Sequence, residues 1–280
     1  MDVLIVGAGA MGTWFGRATD ATVTFADVDA DAAAAAAERV GSGAETTALE
    51  GTDSYDVVCI AVPMTHVVDA VADHAERAER AIVDISGVMG PSLEAMAEHA
   101  PGLERASLHP LFAPERAPGS IAVVREEAGP TVETLLETFD AGGNDLIETT
   151  ATEHDDAMET VQATTHAAVL SFALAAESVP DGFETPIYEG LGTLVEQFTE
   201  GTPRVYADIQ QTFDGADAVA DAAAAVADAD AEELESLYRE AASQWQPESD
   251  ADNAGGRTET ADHGGAHDRT QTTDDTTTTK

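Results

Sequence analysis

Positive charge is scarce in this chain. Its 280 residues carry 12 Lys and Arg against 54 Asp and Glu, which gives a formal net charge of -42, and the only lysine is Lys280. Nucleic acid is bound by clustered Lys and Arg, and anionic lipid repels an acidic surface, so neither is an expected partner. Because the acidic residues are interleaved with apolar ones, the composition indicates adaptation to concentrated salt, where self-repulsion is screened.

Cysteine and long apolar runs are also scarce. Cys59 is the only cysteine, so an intramolecular disulfide is excluded, and its position in the apolar run 57–60 predicts a buried structural thiol. No apolar run approaches the roughly 20 residues of a membrane span, and the first residues predict a strand instead of a signal peptide. We therefore expect a cytoplasmic protein, and 43% hydrophobic residues are enough for a normal core.

Short apolar runs alternate with helical patterns over the first 150 residues. Strands are predicted at 2–6, 21–26, 56–61, 81–85, 104–108, 120–124 and 144–148, and helices at 10–19, 29–39, 65–78, 91–99 and 130–140. This alternation predicts an α/β fold with a Rossmann-type doubly wound parallel sheet, which could include one antiparallel edge strand. We assign residues 1–150 to this dinucleotide-binding domain.

The pattern changes near residue 152, where strand signals stop. Helices are predicted at roughly 153–178, 185–201, 203–212 and 215–243, so we expect residues 151–246 to form an all-helical domain for substrate binding and dimerisation. Residues 247–280 are polar and acidic, and they predict a disordered tail. His263 and His267 lie in that tail without a framework for a ligand set, so no metal site is expected.

A glycine motif follows the first predicted strand. Gly7, Gly9 and Gly12 form G-x-G-x-x-G, with Ala10 and Met11 between them at the start of a helix. The first glycine suits a tight turn, the second a close approach of backbone to pyrophosphate, and the third close packing of helix on strand. The free N–H groups of the helix terminus favour phosphate, so this segment predicts a dinucleotide site.

Two further segments belong to the predicted cofactor site. Asp27 ends the second strand, where an acid meets the adenosine ribose hydroxyls, although it could also be an ordinary surface acid. No arginine follows it to take a 2′-phosphate, which favours NAD while leaving NADP possible. Val62 and Pro63 follow the strand at 56–61, where the loop would pass beside the cofactor.

His109 is the candidate general base. It follows the predicted strand 104–108 and precedes a proline, so it is held on extended chain at the edge of the sheet that faces the ligand crevice. An imidazole has an ordinary pKa of about 6.5, which suits proton transfer near neutral pH.

Several segments together resemble the prephenate and arogenate dehydrogenases. The similarity covers roughly residues 3–245, and it is carried by Ser107-Leu108-His109-Pro110-Leu111-Phe112 and by the segments 153–158, 162–166, 186–188 and 203–209. The resemblance implies oxidative decarboxylation of prephenate or arogenate on the route to tyrosine. It also implies that His109 takes the proton of the ring hydroxyl and that His166 is a second active-site histidine.

The chain departs from the family pattern at the substrate groups. A serine and a lysine of the family fall on Gly87 and Met89, so Ser86 is the hydroxyl that could replace the serine. Two family arginines fall on Gln197 and Glu189.

Two accounts of substrate binding remain open. Either nearby arginines bind the substrate carboxylates, with Arg116, Arg125 and Arg204 as candidates, or the substrate is arogenate and Glu189 pairs with its ammonium group.

Two other classes of protein are less consistent with the sequence. Other dehydrogenases that join a Rossmann domain to a helical domain need a catalytic lysine, and this chain has none before Lys280. A catalytically silent NAD-binding regulatory protein would need neither His109 nor His166. We therefore expect an enzyme with a small-molecule substrate, and we expect the alanine-rich helices to form a homodimer.

Overall fold

A computed structural model describes residues 1–41, 43–180 and 182–245 of the protein. The predicted tail at 247–280, with His263 and His267, lies outside the described residues. Within them, no helix combines the length and the apolar character that crossing a membrane requires.

Eight strands form one sheet in the order β3-β2-β1-β4-β5-β6-β7-β8. The strands are β1 (Asp2–Val6), β2 (Thr22–Ala26), β3 (Glu45–Thr46), β4 (Tyr55–Ile60), β5 (Ala78–Asp84), β6 (Glu104–Pro110), β7 (Ser120–Glu127) and β8 (Asp145–Glu148). The strand order reverses between β1 and β4, and ligands of open α/β sheets bind at such a reversal. The Rossmann-type fold class is confirmed.

Helices cover both faces of this sheet. They are α1 (Ala10–Ala18), α2 (Ala30–Val40), α3 (Val67–His74), α4 (Gly90–His99) and α5 (Pro130–Ala141). Val3 and Ile5 of β1 pack in one apolar cluster with α1, α2 and α5, whereas Leu4 and Val6 pack in a second cluster with α3 and α4. Because both faces are buried, the strands are continuous apolar runs instead of alternating ones.

The sheet has two strands that run opposite to the others, where the sequence allowed for one. β7 pairs antiparallel with β6 and parallel with β8, so β7 and the edge strand β8 both run antiparallel to β1–β6. The two-residue strand β3 pairs with β2 and was not predicted, because its sequence has no apolar run.

The chain changes from strands to helices between Glu148 and Ala151, where the sequence pattern changes. The helices are α6 (Ala151–Met158), α7 (Thr165–Ala175), α8 (Pro186–Thr199), α9 (Pro203–Thr212), α10 (Gly215–Asp228) and α11 (Ala231–Trp245). A π-helix at Glu159–Thr164 interrupts the continuous helix that was predicted over 153–178. Among the described residues, those up to 225 form one compact unit and those from 226 to 245 belong to a second, so a domain boundary at 150 remains a prediction.

Candidate active site

The glycine motif lies where β1, β4 and α1 meet. Gly7 has a φ of +106°, and a Cβ atom there would lie 2.4 Å from the carbonyl oxygen of Ala61. A Cβ atom on Gly12 would lie 2.1 Å from the carbonyl oxygen of Gly7, so neither position admits a side chain. Gly9 has no atom within 4 Å of such a Cβ, which leaves open space in front of the uncapped start of α1.

Asp27 closes the glycine loop from the end of β2. Its carboxylate accepts hydrogen bonds from the N–H groups of Ala8 at 2.6 Å and Asp29 at 2.9 Å. Each carboxylate oxygen keeps a second lone pair that a ribose hydroxyl can use. Val62 and Pro63 lie in the loop after β4, and the Val62 amide lies 3.2 Å from the Cβ position of Gly7. This cradle fits a dinucleotide, with open space for phosphate and an acid for the ribose.

His109 lies within β6, which extends two residues beyond the predicted end of the strand. The side chain is buried, and its Nδ1 atom lies 2.8 Å from Nε2 of His154 on α6. The two rings meet edge to face at an interplanar angle of 77°. A helix of the second half of the chain therefore fixes the orientation of the candidate base.

Asp155 completes this chain of hydrogen bonds. Its carboxylate lies 2.8 Å from Nδ1 of His154 and accepts the backbone N–H groups of Met89 and Gly90 at 2.9 Å each. Burial alone would raise the pKa of Asp155, but the hydrogen bonds from His154, Met89 and Gly90 lower it below its ordinary value. Asp155 is therefore an ionised acceptor, and it places the His154 proton on Nδ1.

The protons of the two histidines follow from this arrangement. Nε2 of His154 must be the acceptor, so Nδ1 of His109 carries the proton and Nε2 of His109 keeps a lone pair. Burial, and secondarily the neighbouring His154, lower the pKa of His109 to about 3. His109 is thus neutral near neutral pH, with its basic atom directed away from His154.

Gln162 and Gly87 lie near Nε2 of His109. Nε2 of Gln162 lies 3.4 Å away, on the π-helix. A Cβ atom on Gly87 would lie 3.6 Å from Nε2 of His109 and 2.7 Å from Cε of Met64. Sequence reasoning did not select Gln162, His154 or Asp155 as site residues. Their spacing to His109 carries no local signal, although all three lie in segments that carry the family resemblance.

The hydroxyl of Ser86 is directed elsewhere. Its Oγ atom lies 2.5 Å from Oδ2 of Asp84 and 2.9 Å from the carbonyl oxygen of Val88. These contacts occupy the hydroxyl that could replace the family serine, so a catalytic role of Ser86 remains a prediction. Ser86 instead holds the loop after β5, whose Met89 and Gly90 amides bind Asp155.

Asp84 itself is fully buried, and burial raises its pKa above the ordinary value of an aspartate to about 6, against the lowering effect of its hydrogen bonds with Ser86. A raised pKa means that the folded protein binds the Asp84 proton more tightly than the unfolded chain does. This contribution to stability is fully present below about pH 4 and is lost as the pH rises through about 6. We expect the free energy of unfolding of the wild type to fall by about 3 kcal/mol relative to Asp84→Asn across this window. Urea unfolding of both proteins between pH 4 and pH 7 measures this difference in free energy. A difference that does not change with pH contradicts the expectation.

The second predicted histidine, His166, is half-buried on α7. Its ring lies 4.8 Å from that of Tyr206 and 5.6 Å from that of Phe198, and burial lowers its pKa. Its Nδ1 atom is buried without a hydrogen-bond partner in the described part of the chain. No hydrogen bond between described residues joins it to His109, so its catalytic role remains a prediction.

The predicted substrate residues differ in their surroundings. Arg204 pairs with the buried Asp208 at 2.8 Å, and Arg125 pairs with Glu133 and Glu148. Arg125 also lies opposite Ala106, three residues before His109 along β6, so it is a poor candidate for the crevice.

The remaining candidates are exposed. Arg116 ends a short turn (Pro114–Arg116) that contacts α1, and it has no ion pair among the described residues. Gln197 and Glu189 are exposed on α8.

A Rossmann sheet with a dinucleotide cradle and a neutral, oriented histidine at the same edge defines a dehydrogenase. The sequence profile described as the nucleotide-binding domain of prephenate dehydrogenase matches residues 16–124. A 4-amino-4-deoxyprephenate dehydrogenase of Streptomyces pristinaespiralis is 33% identical over 239 residues, which are 79% of this chain and 80% of that protein. The chain belongs to the prephenate dehydrogenase family.

Two further relatives agree with this assignment. A probable arogenate/prephenate dehydrogenase of Methanocaldococcus jannaschii is 25% identical over 228 residues, which are 74% of this chain and 50% of that protein. The crystal structure of prephenate dehydrogenase from A. aeolicus, solved with hydroxyphenyl propionate and NAD+, superimposes with a TM-score of 0.64 at 14% identity. That match covers 87% of this chain and 96% of that chain, and it shows the shared fold.

Proposed function

We propose that the protein is a prephenate dehydrogenase, which converts prephenate to 4-hydroxyphenylpyruvate with NAD. The observation that carries this proposal is the free lone pair on Nε2 of His109. It lies at the carboxyl end of β6, the sheet edge where ligands of this fold bind. The same atom is the base that oxidation of a ring hydroxyl requires.

The cofactor and the side chains of the site have separate roles in the proposed reaction. NAD, when bound, accepts the hydride of the ring carbon that carries the hydroxyl. Nε2 of His109 takes the hydroxyl proton, and the positive charge that develops is stabilised through His154 by Asp155. The ring carboxylate leaves as carbon dioxide, its bonding electrons complete the aromatic ring, and the ring oxygen takes the proton back from Nε2 of His109 to give the phenol.

NAD is the proposed cofactor, and NADP is the alternative. Asp27 lies at the glycine loop with its carboxylate fixed by two backbone amides. A 2′-phosphate beside this carboxylate would be repelled, whereas a 2′-hydroxyl can donate a hydrogen bond to it. Gly7, Gly9, Gly12, Ala10 and Met11 would hold the pyrophosphate, with Val62 and Pro63 beside it.

Substrate recognition is the finer part of the proposal. We assign Arg116 to a carboxylate of prephenate, because Arg204 already pairs with Asp208. Arogenate is the alternative substrate, since Glu189 is exposed and able to pair with an ammonium group. The Streptomyces relative adds 4-amino-4-deoxyprephenate to the compounds that need testing. We place the enzyme in the cytoplasm, whose reducing conditions suit a chain with one free cysteine.

The test is NADH formation in concentrated KCl, with each of the three compounds offered in turn and with NAD and NADP compared. We expect turnover with prephenate and NAD. Turnover with arogenate alone would indicate that Glu189 determines the substrate specificity. Absence of turnover with every pair, by folded protein that binds NAD, would favour a silent regulatory protein instead.

A homodimer is also proposed, on the evidence of α7 and α8. The segment Thr165–Ala175 is apolar on nearly every side, which is typical of a helix buried all round, yet only Ala167 and Val169 are buried. Leu174 and Ile187 are 79% and 78% exposed.

We expect the protein to sediment as a dimer and Leu174→Glu to shift it toward the monomer, because a charge in an apolar interface is costly. Val68→Glu on α3, which also introduces a charge at an exposed apolar residue, is the matched control. A wild-type monomer at micromolar concentration would contradict this proposal.

A further inference from the structure

The proposed reaction requires a hydrogen-bond donor to the oxygen of the substrate hydroxyl, and no residue has been assigned to this role so far. As the C–O bond becomes a carbonyl, its oxygen loses a proton to His109 and gains electron density, which a hydrogen-bond donor would stabilise. Ser86 is the hydroxyl that could replace the family serine, but its Oγ atom is directed to Asp84 and the Val88 carbonyl. Gly87, the residue aligned with the family serine, has no side chain.

Gln162 is a polar side chain within reach of the required position. Its Nε2 atom is 3.4 Å from Nε2 of His109, which is long for a hydrogen bond. Its Oε1 atom is buried and has no partner among the described residues, so no other group there holds the carboxamide. A buried amide oxygen without a partner is costly, which is consistent with a side chain that borders a ligand.

The local backbone accounts for this placement. Gln162 lies in the π-helix Glu159–Thr164, and single π-helical turns within α-helices are frequent at functional sites. The extra residue of this turn is accommodated by side-chain hydrogen bonds from Thr164 to the Glu159 carbonyl and from Thr165 to the Thr160 carbonyl, both 3.0 Å. Ala163, the next residue, is fully buried in the second apolar cluster and fixes the turn against the sheet.

We infer that Gln162 is a catalytic residue that donates its Nε2–H to the oxygen on the reacting ring carbon. An oxygen atom about 2.8 Å from both nitrogen atoms completes a triangle whose third side is the observed 3.4 Å. A hydroxyl suits this site, because it donates its proton to Nε2 of His109 and accepts a hydrogen bond from Gln162. When the hydride leaves that carbon for NAD and the proton passes to His109, the oxygen becomes a carbonyl and keeps the Gln162 hydrogen bond.

This inference rests on the proposed function, and Gln162→Leu tests it. Loss of one donor at a developing oxyanion lowers kcat by about 10²–10³-fold, and we expect this loss with KM for prephenate and NAD binding almost unchanged. Gln211→Leu on α9 removes an exposed glutamine from the same half of the chain and is the matched control, with activity expected to remain at the wild-type level.

Gln162→Glu separates a catalytic role from a structural one. A carboxylate beside His109 raises the pKa of the imidazole, so the acid limb of the kcat/KM profile should move to higher pH. If the wild type oxidises prephenate and Gln162→Leu has an unchanged kcat, the inference is overturned while the proposed function is retained. The same holds if the acid limb of Gln162→Glu does not move. A folded wild type that oxidises none of the compounds with a hydroxyl at this carbon would overturn both.

Discussion

Replacing His109 by glutamine is expected to lower kcat by about 10²–10⁴-fold, because it removes the base that takes the hydroxyl proton. The glutamine amide can still donate a hydrogen bond to His154, so the buried contact with α6 is not left unsatisfied. NAD binding should remain at the wild-type level, since the side-chain hydrogen bonds of His109 among the described residues go to His154 and Gln162 and not to the glycine loop.

The matched control for this variant is His99→Gln. His99 is exposed at the end of α4, so its replacement alters the histidine content without touching the crevice. Steady-state NADH formation and NAD titration by fluorescence are measured on all three proteins. If His109→Gln keeps more than about a tenth of the wild-type kcat, a general base contributing at least ~10²-fold is excluded at this position.

Asp155→Asn is expected to produce a loss of similar size without removing either histidine. The asparagine amide can donate to Nδ1 of His154, so His154 would carry its proton on Nε2 and donate to Nδ1 of His109. His109 would then carry its own proton on Nε2, the atom that must accept the substrate proton. The same change of tautomer in a serine-protease triad costs about 10⁴-fold in kcat.

The adjacent Asp156 provides the control for this variant. Asp156 is exposed on α6, and Asp156→Asn makes the same chemical change one residue away. We expect its kcat to equal that of the wild type. Thermal unfolding and NAD affinity, measured on both variants, separate a change of tautomer from a loss of the hydrogen bonds to Met89 and Gly90. Equal activity of the two variants would show that His109 does not depend on Asp155.

The sheet and the cofactor site could be predicted because their signals are local. Each buried strand is a short apolar run, and the glycine motif directly follows the first of them. The antiparallel direction of β7 could not be predicted, because an apolar run has the same composition in either direction. The π-helix was missed for a similar reason, since an inserted residue leaves the apolar pattern of a long helix almost unchanged.

The candidate base was predicted, but its partners were not. His109 and His154 are 45 residues apart in sequence, and their contact depends on how α6 packs beside β6. Ser86 was selected because a hydroxyl near the family position was needed. Its actual hydrogen bond depends on Asp84 being buried two residues earlier, which the sequence of a strand end does not reveal.

The most direct test of this account is the tautomer of His109, measured by ¹⁵N NMR of the histidine rings. The protein has 8 histidines, and His109→Gln identifies the signal that is lost. The account predicts a neutral ring with the proton on Nδ1 and an unprotonated Nε2, and because burial lowers the pKa to about 3 this state should persist down to about pH 5. A proton on Nε2, or an imidazolium at pH 7, would contradict it.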